Sequence, residues 1–124
     1  MPHRILSAVA ALLIVVGIAA QHRDAAARPP ENADTSLAPW FNSLRDPVNG
    51  VGCCSQADCR PVEYRLAAGH YEALIGRQFD VPKEHWEAVD PERILERTDN
   101  PTGRAIACWV PGIGVLCFIR PPDV

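Results

Sequence analysis

Cysteine is the residue type in this 124-residue chain best placed to do chemistry, and there are five. Cys53, Cys54 and Cys59 crowd together, whereas Cys108 and Cys117 stand apart from them near the end of the chain. Sulfur at such positions offers disulfide formation in an oxidising compartment, thiolate ligation of a soft metal, or thiol exchange. A metal site would take Cys53, Cys54 and Cys59, completed by His70 or His85, and would suit Cu(I) or Zn(II). The spacing argues poorly for it, because the sequence has no C-x2-C pair, no H-x3-H and no Met-rich tract. Thiol exchange lacks its C-x-x-C motif, and haem attachment lacks C-x-x-C-H. Structural disulfides are therefore the expected use: two bonds within the chain, at least one engaging Cys108 or Cys117, with one cysteine left over from Cys53 and Cys54.

Connectivity stays open at this level. A direct Cys108–Cys117 bridge across a hairpin is one arrangement. Bridges from the hairpin to the earlier cluster are another, and these would close loops of about 50 residues, each contributing roughly 4 kcal/mol by loop entropy. The odd thiol could be buried, reactive, or paired with a second chain in a disulfide-linked dimer.

Other catalytic constellations are weak. Neither G-x-S-x-G nor H-E-x-x-H is present, and a hydrolase would have to be assembled from Asp58, His70 or His85 without motif support. The oxygen-rich run Asp99-Asn100-Pro101-Thr102-Gly103 is too short for a calcium loop and has the chemistry of a β-turn. No cofactor is implied, and the chain reads as a non-enzymatic binding or structural module. Trp109, between alanine-rich and apolar neighbours, is expected in the core. Trp86, beside His85 and flanked by Glu84 and Glu87, is the best candidate for contact with a partner, an envelope protein or ligand.

The elements that must position these residues begin after an export signal. A basic start, Met1 to Arg4, precedes an uncharged apolar run from Ile5 to Ala20. A helix over that run would span about 24 Å against a hydrocarbon core of about 30 Å, so cleavage near residue 19 or 27 is preferred to an anchor. Only an uncleaved signal would hold the protein at a membrane. Residues 28–36 read as a disordered linker, and residues 37–124 as one small domain in a periplasmic or secreted setting. Removing residues 1–27 takes away Arg4, Arg23 and Asp24, leaving ten basic and fourteen acidic residues and a net charge of −4. With the signs interspersed, nucleic acid is not an expected partner.

Pattern predicts a mainly β fold with short helices (α+β): a small disulfide-stapled antiparallel sheet or partly open barrel with an N-terminal helix. Thr35 or Ser36 would cap that helix, with Pro39 in its first turn and Leu37, Trp40, Phe41 and Leu44 on one side. Ser55 and Asp58 suggest a single turn returning Cys59 toward Cys53 and Cys54. Val62–Leu66 and His70–Ile75 flank a Gly-containing loop and predict a hairpin, with Gln78–Val81 as a further short strand. Pro82–Ala88 and Asp90–Leu95 could each be a strand or a one-turn helix. Asn100–Gly103 should close a hairpin, and Pro111–Gly114 another that sets Val110 opposite Val115, Trp109 opposite Leu116, Cys108 opposite Cys117 and Ile106 opposite Ile119. This last hairpin is apolar on both faces and so must be covered on both.

The runs Gly52–Pro61, Asp99–Arg104 and Leu116–Pro121 together resemble small exported cysteine-containing bacterial proteins without assigned activity. That resemblance brings no catalytic or binding residue with it, and relatives without assigned activity supply no function.

Overall fold

The computed structural model describes residues 31, 33–53 and 58–122. The signal, residues 28–30 and 32 of the linker, Cys54 and the turn begun by Ser55 lie outside the described residues. One helix, α1 (Ala38–Ser43), precedes seven strands: β1 (Cys59–Pro61), β2 (Tyr64–Ala67), β3 (His70–Ile75), β4 (His85–Ala88), β5 (Ile94–Leu95), β6 (Ile106–Val110) and β7 (Gly114–Ile119). They form a four-stranded sheet in the order β1-β6-β7-β5 and a three-stranded sheet in the order β2-β3-β4.

The β6–β7 hairpin is the middle layer, as its two apolar faces require. On the side of Cys108 and Cys117 lie Phe41 and Leu44 from the α1 segment, with Cys53, Cys59, Leu95, Ile106 and Ile119. On the opposite side Ala107 and Phe118 meet Val62, Ala73, Ile75 and Val89. Phe118 has no exposed surface and packs against the rings of Tyr71 and Tyr64, at centroid distances of 5.5 and 6.1 Å.

A barrel does not form. β1 ends at Pro61, which has no N–H to extend a ladder, and the chain crosses through Val62 and Glu63 into the second sheet. Nor is the first sheet wholly antiparallel, because β5 runs parallel to β7, pairing Ile94 with Phe118 and Leu95 with Ile119. That pairing also overturns the hairpin expected at Asn100–Gly103. The turn is there, but it leads β5 and β6 to strands on opposite sides of β7's ladder rather than to each other.

The helical segment before Cys53 is slight. Asp34, not Thr35 or Ser36, caps a 3-10 turn over Thr35–Leu37, accepting the Ser36 N–H at 2.9 Å, and α1 adds six residues. In the middle region, Gln78–Val81 is not a strand. Residues Arg77–Phe79 form a 3-10 turn whose Gly76 carbonyl accepts from both Phe79 and Val81, and Asp80 closes it in the left-handed region at φ 58°. His85–Ala88 resolves as strand, and Asp90 caps a 3-10 turn at Pro91–Arg93 by accepting the Glu92 N–H.

Register in the β6–β7 hairpin follows expectation from Ile106 to Cys108 and then shifts. A bulge after Cys108 sets Trp109 opposite Val115 and Val110 opposite Gly114, leaving Leu116 as the extra residue. Leu116 therefore joins the cysteine side beside Cys117, while Val115 joins Trp109 and Phe118.

Candidate binding face

All four described cysteines are paired. Cys53 bonds Cys117 with S–S 1.99 Å, and Cys59 bonds Cys108 with S–S 2.02 Å. Cys108 and Cys117 are opposite in register but do not bridge, because each has a partner brought in from outside the hairpin. β1 lies alongside β6 with Cys59 opposite Cys108, and the loop held by the Cys53 N–H to Leu44 carbonyl bond brings Cys53 to Cys117. Two disulfides point to an oxidising environment. Among the described residues, no helix is long and apolar enough to cross a membrane.

Both histidines belong to the three-stranded sheet, at opposite ends of the β3–β4 ladder. His70 opens β3, with Nε2 3.9 Å from Glu72, whereas His85 pairs with Ile75 at the other end. His85 Nε2 is 3.3 Å from the Glu87 carboxylate, and that carboxylate also accepts the Trp109 indole N–H at 2.8 Å. Asp58 precedes β1, its carbonyl accepting the Trp109 N–H, and belongs to the other sheet. Cys53 and Cys59 are held in disulfides, Asp58, His70 and His85 are not brought together, and no three His, Cys, Asp or Glu side chains converge among the described residues.

Trp86 occupies a different kind of place. Strand alternation turns Ala73 and Ile75 inward and sends Arg65, Glu72, Leu74, Trp86 and Ala88 to the outer face of the three-stranded sheet. There the Arg65 guanidinium lies 4.3 Å from the centre of the Trp86 ring, and its Nε donates to Glu72 at 2.6 Å. Carboxylate, guanidinium and indole are stacked across all three strands. The sequence singles out Trp86 as a candidate contact but not Arg65 or Glu72. Period-two pairing across the Ala68-Gly69 turn would have set them opposite each other.

A cleft of about 350 Å³ is lined by Glu96, Arg97, Thr98, Arg120, Pro121 and Pro122. Its arginines are held by carboxylates, Arg120 by Glu96 at 2.8 Å and Arg97 by Asp99 at 2.6 Å. The Arg97 bond brings the Asp99 carboxyl down to about 2, with the nearby Trp40 indole adding to the effect. Comparison with protein-family models, curated proteins and solved structures finds no match to this chain.

Proposed function

We propose that the protein is a non-enzymatic, disulfide-stapled module that binds a protein partner in an oxidising compartment through the outer face of its three-stranded sheet. The observation that carries this reading is the Trp86–Arg65–Glu72 stack on the outer face of the sheet. Tryptophan and arginine dominate the energetics of protein interfaces, whereas small ligands favour enclosed, mostly apolar pockets. Trp86 supplies a large rigid apolar plane, and Arg65 is held in place by Glu72, so little side-chain entropy remains to be lost on docking. The rival reading, metal binding or thiol exchange, would rest on Cys54 with the histidines, since Cys53 and Cys59 are spent in disulfides.

A photo-crosslinking residue at Leu74, compared with one at the exposed Ile113 of the hairpin turn, tests the proposal in exported material. A discrete protein adduct from position 74 that disappears with Trp86→Ala, in a variant with unchanged disulfides, is the expected result. Adducts of the same pattern from position 113, or none from position 74, would remove the outer face as the binding surface.

A further inference from the structure

We infer that β2 is a self-association edge, pairing antiparallel with β2 of a second copy of this chain to join two three-stranded sheets into one of six strands. β2 lies at the border of its sheet, and residues 63–66 are all exposed. The hydrogen-bonding direction along it is fixed by one contact. The Leu74 N–H donates to the Glu63 carbonyl at 2.9 Å, so Glu63, Arg65 and Ala67 address β3. Tyr64 and Leu66 then aim their N–H and C=O groups outward. No other described segment takes them. This is a strand edge ready for another strand.

Which strand fits is decided by the side chains. With Tyr64 set opposite Leu66 of the second copy, and Leu66 opposite its Tyr64, the two outward-facing residues on each chain exchange N–H···O bonds. All four free backbone groups of each copy are then satisfied. Faces are preserved, since a two-residue step keeps inward residues inward. Tyr64 is 42% exposed and Leu66 67%, and this register covers each with the other. Slipping by one residue would turn the apolar pair of one chain to the charged side of the other.

The obvious objection is Arg65, which this register places opposite itself at the two-fold axis. Edge charges normally guard against such pairing. Here the guanidinium is drawn off the edge, across β3, by Glu72 at 2.6 Å and by the Trp86 ring on β4. The guard is turned inward. A four-residue edge buries far less than the standard interface of about 1,600 Å², so the association is weak and reversible. It stands independently of the partner-binding reading, which concerns the sheet's outer face rather than its edge.

The test uses the oxidised full chain carrying Cys54→Ser, which removes disulfide-linked dimers. Sedimentation over a concentration series should show a monomer–dimer equilibrium, with amide exchange at Tyr64 and Leu66 slowing as the dimer fills and no such change at Ile113. Leu66→Pro keeps every bond to β3, because the lost N–H faces outward, and it should return the protein to monomer at all concentrations. Leu66→Lys should do the same by placing two charges beside Tyr64. A strictly monomeric Cys54→Ser protein, or a dimer that survives both Leu66 variants without slowed exchange at Tyr64 and Leu66, would overturn the inference.

Discussion

Arg97 and Asp99 show how much a surface side chain can be organised without being buried. Asp99 is exposed, yet Arg97 holds it through two bonds, from Nε at 2.7 Å and from Nη2 at 2.6 Å, and the same Arg97 reaches the Ser43 hydroxyl at the end of α1. The Asp99 carboxyl sits at about 2 in the folded protein against 3.8 for the free group. A folded value below the unfolded one contributes stability above about pH 4, and that contribution is lost as pH falls through 2. Titration by carboxyl NMR should place Asp99 near 2, and Arg97→Gln should bring it back toward 3.8; an unmoved Asp99 would assign the shift elsewhere. Asn100, next along, marks a limit of sequence legibility. Its place in a turn followed from the Pro and Gly beside it. Its burial, at 5% exposed, and its amide bonds to the Arg104 and Arg120 carbonyls did not, because the second of those partners is brought near only by the β5–β7 pairing. Asp46 is a parallel case: its ion pair with Arg93 joins residues 47 positions apart, and nothing local announces it.

At the scale of elements, local chemistry was legible where it was unopposed. The β2–β3 hairpin and the cysteine register of β6–β7 both followed from turn residues and alternation. Where two continuations were sterically equal, context chose. Alternation alone could not place the bulge after Cys108, since Val115 and Leu116 are both apolar and either could face the core. The three-residue turn Pro111–Ile113 and the left-handed Gly114, at φ 103°, decide it. Gln78–Val81 failed as a strand because it has no neighbour to pair with. The β2–β3 turn retains an unfavourable choice. Ala68 and Gly69 both have positive φ, 51° and 83°, a geometry that favours Asn-Gly over Ala-Gly. Ala68→Asn should therefore stabilise the domain by about 0.5–1 kcal/mol, part of the roughly 1–2 kcal/mol cost of a left-handed L-residue. Denaturant midpoints would register the gain, and a loss of stability would contradict this account of the turn.

For the whole molecule, the hairpin's two apolar faces explain the layering, and the disulfides explain how so small a core persists. Nine buried residues line the cysteine side, four of them cysteines, so covalent bonds take up space that larger domains fill with aliphatic side chains. The bridges span 64 and 49 positions and both end on the hairpin, tying the first described loop to the last strands. Each closes a loop worth about 4 kcal/mol by chain entropy. The loops overlap, so removing both should cost less than the sum. The sequence supported two bonds and a leftover from Cys53 and Cys54, because an odd cysteine count with adjacent residues leaves few arrangements. It could not choose the partners, which depend on β1 coming to lie beside β6 although 44 residues separate Pro61 from Ile106. The hairpin is stapled outward, to two separate preceding segments. Non-reducing peptide mapping tests it directly. Cleavage before Asp58 separates Cys53 and Cys54 from Cys59, cleavage after Trp109 separates Cys108 from Cys117, and fragmentation of the peptide that carries both Cys53 and Cys54 shows which of the two is bonded. The account predicts linked peptides for Cys53–Cys117 and Cys59–Cys108 with Cys54 outside both; a Cys108–Cys117 peptide, or a Cys53–Cys59 peptide, would contradict it.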